Sequence, residues 1–187
     1  GILRDNSLRL QRLIENLLSY SEWQAKRGGL DVSELNLPVM VQGAIDTYQL
    51  PINAHHLTLV RQVDDISFNA DRAKLRLILD NLVSNAVKFT PDGGTITVRG
   101  RREGDDVVIE VADTGPGVPP IERERIFEAF YQGATPQGGL VRGTGIGLSV
   151  VQEFVQAHGG TIELVDGEFP GAHFRVRLPS TNLPVVV

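Results

Sequence analysis

The sequence predicts an α+β fold: a two-layer α/β sandwich, in which helices cover one face of a mixed sheet, preceded by one long helix. Helical and strand periodicities occur in separate runs, without a regular βαβ alternation. Glycine-rich breaks separate these runs. Of the 187 residues, 41% are hydrophobic and 22% are charged, the balance of a chain that folds around a core. We expect the second face of the sheet to be largely solvated.

Residues 1–27 are expected to form one amphipathic helix. Between Leu3 and Lys26 there is no proline or glycine, and apolar residues recur at three- and four-residue steps. Gly28 and Gly29 end this pattern. A single helix has little in this chain to cover its apolar stripe, so a partner helix from a bundle is implied.

The remaining chain divides into a linker over residues 28–37, a domain over 38–180 and a loose tail over 181–187. A helical pattern over Val39–Ala54, interrupted near Pro51, predicts the first helix of the domain. Two short segments in which apolar and polar residues alternate predict strands over Leu57–Val63 and Ile66–Phe68. Asp71 precedes a long apolar stripe, which predicts a helix from an Asp71 cap to Phe89.

The second half of the domain is expected to be rich in strands. Two alternating segments joined by a polar loop predict an antiparallel hairpin, glycine enrichment predicts a long loop, and a Gly-Gly pair ends the last helical pattern. The elements are a hairpin of Thr95–Arg101 and Val107–Ala112, a helix over Ile121–Phe130, a loop over 131–143, a helix over 145–158, and strands over Thr161–Val165 and Ala172–Leu178.

Charge and composition exclude several classes of function. A net charge of −5 disfavours nucleic acid and anionic lipid as partners, because both require a basic face. The absence of cysteine excludes disulfides and thiolate metal sites. No run approaches the roughly 20 apolar residues of a membrane-spanning helix, so we expect no direct membrane contact from this chain.

Polar residues on the Asp71–Phe89 helix form the first candidate site. Asn81, Asn85 and Lys88 are spaced at i, i+4 and i+7, which places them on one stripe beside the apolar face. Amide carbonyls suit Mg²⁺, and an ammonium group suits phosphate oxygens. On this helix alone, a polar edge facing water is the simpler interpretation.

Asp113 ends a strand whose inward side carries Val107, Ile109 and Val111, so its carboxylate is expected to point inward. A buried carboxylate needs a hydrogen-bond donor, and the exocyclic amine of a purine is suitable. Thr114–Gly117 supplies flexible backbone for close approach of a ring, although the same residues also suit a plain turn.

A glycine-rich segment, Gly143-Thr-Gly-Ile-Gly147-Leu148, precedes a helix, and backbone N–H groups at a helix N-terminus bind phosphate. The spacing is G-x-G-x-G after a loop, which does not fit a Rossmann site. The sequence contains no G-x-x-x-x-G-K-[ST] motif, so a P-loop is excluded.

Taken in order, these segments resemble the nucleotide site of the GHKL ATPase superfamily, most closely that of sensor histidine kinases, with its Bergerat-type ATP-binding fold. The resemblance covers Leu37 to Pro179. The matching motifs are Asn81-Leu-Val-Ser-Asn85-Ala-Val-Lys88-Phe89-Thr90-Pro91 (N box), Asp113-Thr-Gly-Pro-Gly117-Val118-Pro119 (G1 box), Ile126-Phe-Glu-Ala-Phe130-Tyr131 (F box), Gly143–Leu148 (G2 box), and the following Ala157-His-Gly-Gly160 and Gly171-Ala-His-Phe174.

The resemblance implies Mg²⁺ and ATP as ligands and assigns a role to each matching residue. Asn85 would bind the metal, Asn81 and Lys88 would act on the phosphates as the catalytic pair, and Asp113 would read the adenine amine. The other nucleotide-binding positions would shape the base pocket or close a lid over the triphosphate; these are Phe89, Gly115, Gly117, Phe127, Phe130, Arg142, Gly143, Thr144, Gly145, Gly147 and Leu148.

The same resemblance implies phosphoryl transfer rather than hydrolysis. In gyrase-like and MutL-like relatives the position of Asn81 is a glutamate that activates water, whereas an amide cannot accept a proton at neutral pH. Asp80 is one helical step away from that position. The family's acceptor histidine lies in a motif that this sequence lacks, and structural or surface roles are expected for His55, His56, His158 and His173.

Residues 1–27 resemble the second helix of the family's dimerisation hairpin. The resemblance therefore implies a homodimer in the full-length kinase, a response regulator receiver domain as partner, a cytoplasmic location as part of a membrane-anchored sensor, and no self-labelling by this chain. Two alternatives remain open: a non-catalytic GHKL module that docks a regulator, and a GHKL ATPase or serine kinase.

Overall fold

The computed structural model describes residues 29–128 and 147–180, together with individual positions between Leu3 and Ser21. All the described positions between Leu3 and Ser21 are helical and exposed, in agreement with the predicted amphipathic helix. They include Leu10, Ile14, Leu17 and Leu18, each about half exposed. Among the described residues, no helix has both the length and the apolar character needed to cross a membrane.

The folded part consists of two sheets and four helices among the described residues. The elements are β1 (Val32–Asn36), α1 (Leu37–Thr47), α2 (Gln49–Ala54), β2 (Thr58–Val63), β3 (Ser67–Asp71), α3 (Arg72–Phe89), β4 (Thr95–Glu103), β5 (Asp106–Asp113), a 3₁₀ turn (Pro120–Glu122), α4 (Gly147–Ala157), β6 (Thr161–Leu164) and β7 (His173–Pro179).

The main sheet has five strands in the order β2-β4-β5-β7-β6. The β2–β4 pair is parallel and the other pairs are antiparallel, so the sheet is mixed. Helices α1, α3 and α4 pack their apolar faces on one side of it and form a single core with the inward residues of the strands. The predicted α+β sandwich is therefore confirmed.

The second face of the sheet is less solvated than we expected. Val108, Glu110 and Ala112 point to this face from the central strand β5, and each is almost completely buried. Arg101 of β4 and Arg175 of β7 hold their guanidinium groups over this strand through contacts with Glu110. Because long arginine side chains cover apolar surface with their stems, this face is shielded without a second layer of helices.

The predicted linker over residues 28–37 contains a strand that the sequence analysis missed. Strand β1 pairs antiparallel with β3, with Val32 opposite Asp71 and Asn36 opposite Ser67. The side chains of Val32 and Leu35 are buried. The pairing joins segments about thirty residues apart, so a short window of sequence carried no signal for it.

The helix predicted over Val39–Ala54 is broken at Tyr48 rather than near Pro51. Tyr48 leaves helical geometry with φ −107° and ψ 11°. Pro51 lies in the first turn of α2, where a backbone N–H has no helical partner and its loss costs little. The proline therefore helps to start the second helix instead of interrupting the first.

The helix predicted over Ile121–Phe130 is wrong in its described part. Only Pro120–Glu122 forms a 3₁₀ turn, and turns follow it as far as residue 127. Isolated turn hydrogen bonds, such as Ile126 N to Glu122 O at 3.0 Å, do not extend into a regular helix, and the Arg123 guanidinium pairs with both carboxylate oxygens of Asp166 between β6 and β7. The last two residues of the predicted helix lie outside the described residues.

The other elements that lie within the described residues agree with the predictions to within a few residues, whereas the predicted loop over 131–143 and the tail over 181–187 lie outside them. Asp71 caps α3 by accepting a hydrogen bond from Lys74 N at 3.1 Å. Gly104 joins β4 to β5 with a positive φ of 59°, and Gly159 ends α4 with a φ of 74°. Both conformations favour glycine, which explains why these two breaks were visible in the sequence.

Candidate functional site

Three structural elements meet at one edge of the sandwich: the C-terminal half of α3, the end of β5, and the N-terminus of α4. On α3, the predicted stripe of Asn81, Asn85 and Lys88 is partly exposed along its length. Lys88 also holds its Nζ 4.9 Å from the centre of the Phe89 ring. The polar stripe is thus available at the rim of the core rather than buried within it.

Gly147 brings the start of α4 directly against this stripe. A Cβ atom on Gly147 would lie 2.8 Å from Asn81 Oδ1, so any larger residue would have to displace the Asn81 amide. Asn81 donates its own Nδ2 to Leu77 O at 2.8 Å, which fixes the direction of the amide. The N–H groups in the first turn of α4 are therefore held beside Asn81, a suitable place for an anion.

Asp113 lies at the end of β5, inward as expected, with 3% of its surface exposed. Its Oδ1 accepts hydrogen bonds from Gly115 N at 2.9 Å and Ala172 N at 3.1 Å. Among the described residues, none donates to Oδ2. Burial raises the pKa of this carboxyl, and the two backbone N–H groups oppose that rise. The second oxygen is an acceptor for a donor that a ligand would bring.

Glycines surround the Asp113 carboxylate and leave no room for side chains. A Cβ on Gly115 would lie 2.5 Å from Phe89 O, and one on Gly171 would lie 2.2 Å from Asp113 Oδ1. Gly117 has a φ of 76°, which favours glycine. The backbone at Gly115 and Gly171 therefore approaches the Asp113 carboxylate closely.

Two further predicted residues support this region. Phe127 packs edge-on against Phe174 with ring centres 6.3 Å apart, and Leu148 packs against the hydrophobic core. Five predicted site residues lie outside the described residues, namely Phe130, Arg142, Gly143, Thr144 and Gly145.

Gly171 and Ala172 both contact Asp113, although neither was predicted as a site residue from the sequence. Gly171 N donates to Asp113 O at 3.1 Å, in addition to the Ala172 contact with the carboxylate. These contacts depend on the pairing of β5 with β7, about sixty residues away in sequence. The only signal was the presence of Gly171 in the last matching motif.

The site has few protein donors for a metal ion. Within the described residues, no group of three or more histidine, aspartate or glutamate side chains could hold one. Asn85 offers one amide oxygen toward the polar stripe, which fits Mg²⁺ because that ion keeps several waters and takes other ligands from a bound phosphate.

Comparison with known proteins identifies a family for the domain. Residues 70–182 match the family described as Histidine kinase-, DNA gyrase B-, and HSP90-like ATPase. Sensor histidine kinase GlrK of Escherichia coli (strain K12) is 34% identical over 182 residues, which are 97% of this chain and 38% of GlrK. The chain thus spans well under half the length of this relative.

Two solved structures of histidine kinases share the fold. Full-length ShkA in complex with AMPPNP aligns with a TM-score of 0.80 and 28% identity, covering 99% of this chain and 39% of that one. Histidine kinase ThkA in complex with the response regulator protein TrrA aligns with a TM-score of 0.75 and 26% identity, covering 96% and 50%. Since the family match also extends over more than half of the sequence, this chain belongs to the histidine kinase-, DNA gyrase B-, and HSP90-like ATPase family.

Proposed function

We propose that this chain is the ATP-binding catalytic portion of a two-component sensor histidine kinase. It transfers the γ-phosphoryl group of ATP to a histidine outside this chain, for relay to an aspartate of a response regulator. The observation that carries the proposal is the amide of Asn81, which lies against the N-terminus of α4. Hydrolysing members of the superfamily carry a glutamate at the position of Asn81.

The adenine end of the site is Asp113 with its surrounding glycines. Gly115 and Ala172 engage one carboxylate oxygen and orient the group, so that Oδ2 accepts a hydrogen bond from the exocyclic amine of adenine. A guanine ring carries a carbonyl at the equivalent position, and two acceptors would then face each other. This arrangement supports selection of ATP over GTP.

The phosphate end is the stripe of Asn81, Asn85 and Lys88 on α3, facing the start of α4. Asn85 binds Mg²⁺, which neutralises charge on the phosphate oxygens. Lys88 and the α4 N–H groups hold the triphosphate by charge and by hydrogen bonds. Phe130, Arg142, Gly143, Thr144 and Gly145, which lie outside the described residues, are proposed to complete the nucleotide contacts together with Phe127 and Leu148.

Transfer is favoured over hydrolysis because, in the part of the chain that the structure describes, no carboxylate takes the place of Asn81 beside α4 to activate water. The Asn81 amide has no basic site at neutral pH. The neighbouring Asp80 accepts a hydrogen bond from Arg76 Nε at 2.9 Å, which directs its carboxylate toward the α1 side of α3. Catalysis then depends on positioning and on charge stabilisation of the transferred group.

The acceptor histidine belongs to a different segment of the full protein. His55 is exposed and paired with Asp92, while His158 and His173 are buried. Residues 1–27 provide the second helix of a dimerisation hairpin, whose exposed leucines pack against partner helices in a homodimer. The ThkA–TrrA complex supports a response regulator as partner. The location that we propose for the domain is the cytoplasm, as part of a membrane-anchored sensor.

Labelling with γ-labelled ATP and Mg²⁺ tests this function. The full protein that contains this chain should acquire acid-labile, base-stable phosphate on histidine, and Asn85→Ala should abolish it. The isolated chain should bind nucleotide but acquire no such label. Absence of label in the full protein would favour a non-catalytic module, and equal labelling of the isolated chain would place the acceptor within it.

A further inference from the structure

His158 joins the two helices of the candidate site at the end farthest from it. Asp71 N donates a hydrogen bond to His158 Nε2 at 3.1 Å, and His158 Nδ1 lies 2.7 Å from Phe154 O. Because Nε2 accepts, the ring hydrogen is on Nδ1 and the imidazole is neutral. The residue is 1% exposed, so water does not compete for either contact.

Both contacts of His158 are made to helix ends. Asp71 is the N-cap of α3. Phe154 lies in the last turn of α4, where its helical hydrogen bond from His158 N is long at 3.3 Å. Carbonyl groups in a last turn lack full helical pairing, so the imidazole completes the end of α4 while it holds the start of α3.

A second pair of side chains strengthens the same junction. Lys74 Nζ lies 3.1 Å from Asp71 Oδ2 and 5.4 Å from the centre of the Phe154 ring. The ammonium group thus contacts the cap of α3 and an aromatic residue of α4 together. Asp71 and Lys74 at the start of α3 therefore contact His158 and Phe154 at the end of α4.

The two helices run antiparallel over the whole distance between this junction and the candidate site. Asp71 lies beside His158, and Asn81 lies beside Gly147. The separation along α3 is 81 − 71 = 10 residues and along α4 is 158 − 147 = 11 residues, or roughly 15 Å at about 1.5 Å per residue. Sliding α4 by one residue would move its N-terminus by about 1.5 Å and would displace its first-turn N–H groups relative to Asn81.

We propose that His158 is a positioning residue for the nucleotide site. By bonding Asp71 N, it fixes the register of α4 against α3 and so holds the first turn of α4 beside Asn81. This inference rests on the proposed function for its effect on nucleotide binding, but the register itself is a property of the protein without nucleotide.

Two substitutions separate the two contacts of His158. In His158→Gln the amide oxygen can reach Asp71 N, so the bridge to α3 is kept. In His158→Asn the shorter amide can donate to Phe154 O but cannot reach Asp71, so only the end of α4 is kept. His55→Gln is the matched control, because His55 is exposed and contacts only Asp92 among the described side chains.

Titration with Mg²⁺ and the ATP analogue AMPPNP gives the first readout. We expect His158→Asn to weaken binding by about tenfold, while His158→Gln and His55→Gln stay within about twofold of the original chain. The positioning role is wrong if both His158 variants retain affinity or if both lose it equally. It is also wrong if His158→Gln binds more weakly than His158→Asn, because a residue that only caps α4 would tolerate asparagine better than glutamine.

NMR of the nucleotide-free protein gives a readout that does not depend on the proposed function. The backbone amide of Gly147 and the side-chain amide of Asn81 should shift in His158→Asn and stay in place in His158→Gln. If the original chain binds no nucleotide, the proposed function is wrong, but these spectra still test whether His158 fixes the register of α4 against α3. Unchanged Gly147 and Asn81 signals in a folded His158→Asn chain would overturn the inference.

Low pH offers a way to break the hydrogen bond between Asp71 N and His158 Nε2 without a substitution that removes it. Burial lowers the pKa of His158; the Phe154 carbonyl and Asp71 favour protonation, and Lys74 opposes it. Protonation places a hydrogen on Nε2, opposite Asp71 N–H, and removes the acceptor. As the pH falls below the ordinary histidine value of 6.5, the original chain should lose AMPPNP affinity faster than His158→Gln. A constant ratio of the two affinities down to acid unfolding would contradict the inference.

Discussion

At the scale of single residues, Glu110 shows how a charge is stabilised on the outer face of the sheet. It is 2% exposed and accepts hydrogen bonds from Arg101, from Arg175 Nε at 3.0 Å, and from His173 Nε2 at 2.8 Å. Burial alone would raise the pKa of this carboxyl, but the three donors together lower it to about 2. The ionised form is therefore part of the folded structure.

Replacing Glu110 by glutamine should destabilise the fold by about 2 kcal/mol at neutral pH. The amide keeps the volume but offers only one acceptor to three donors, two of which are partly exposed and regain some hydration. Urea unfolding measures the loss. Glu163→Gln is the control, because Glu163 is 62% exposed and its contact with Arg175 spans 3.5 Å, so less than about 1 kcal/mol is expected.

The same residue gives a pH dependence with a defined sign. The pKa of Glu110 is about 2 in the fold and ordinarily 4.5, so its contribution is complete above the higher value and is lost as the pH falls toward the lower one. The free energy of unfolding should therefore drop more steeply in this window for the original chain than for Glu110→Gln. Parallel pH curves for the two proteins would contradict this assignment.

Gly171 should prove as important to the nucleotide site as the residues predicted from the sequence. A Cβ at this position would lie 2.2 Å from Asp113 Oδ1 and 2.5 Å from Asp113 O, and the backbone atom cannot yield as a flexible side chain would. Gly171→Ala should therefore displace the carboxylate and weaken ATP binding by about tenfold or more. Titration measures this effect.

Gly29→Ala is the matched control for Gly171→Ala, since a Cβ on Gly29 would meet nothing within 4 Å. The control should bind ATP as the original chain does. Circular dichroism establishes that both variants are folded before affinities are compared. A folded Gly171→Ala chain with unchanged affinity would show that Asp113 does not need this close packing.

At the scale of elements, the first helix of the domain depends on a side-chain cap. Asn36 Oδ1 accepts a hydrogen bond from Val39 N at 3.2 Å at the start of α1. Asn36→Ala should lower the free energy of unfolding by about 1 kcal/mol, measured in urea. Asn53→Ala is the comparison, because Asn53 is exposed near the end of α2 and its side chain accepts a hydrogen bond from the Gln49 side chain rather than from a backbone N–H. Equal effects of the two substitutions would argue against the cap.

Local sequence patterns predicted the elements that depend on local physics. Helix α3 was predicted from its Asp71 cap and its apolar stripe, and the β4–β5 hairpin from alternation around Gly104. Strand β1 was missed because its partner β3 is distant in sequence. The helix predicted after Pro120 was wrong, and in this segment Arg123 binds Asp166 in a remote turn. Short windows do not record such contacts.

The candidate site was predictable to a similar degree. Asn81, Asn85 and Lys88 share a stripe because helix geometry requires it, and the inward direction of Asp113 follows from strand alternation. The contacts that Gly171 and Ala172 make with Asp113, and the contact of Gly147 with Asn81, arise from the packing of separate elements. Only the folded structure places these residues at the site.

At the scale of the whole molecule, the domain should be independent of the N-terminal helical segment. The described positions from Leu3 to Ser21 are all exposed, and none belongs to the hydrophobic core. Removing residues 1–28 should therefore leave the thermal unfolding transition and nucleotide affinity unchanged, as calorimetry and titration would show. Loss of cooperative unfolding would mean that the segment contributes to the fold.

The most direct measurement of the central claim is a calorimetric titration of the chain with Mg²⁺ and AMPPNP, carried out beside Asp113→Asn. The original chain should bind one nucleotide in a Mg²⁺-dependent manner. Asp113→Asn keeps the shape of the side chain but can present an amide N–H toward the adenine amine, so affinity should fall by about tenfold or more. Equal affinity of the two proteins would contradict the placement of the adenine site.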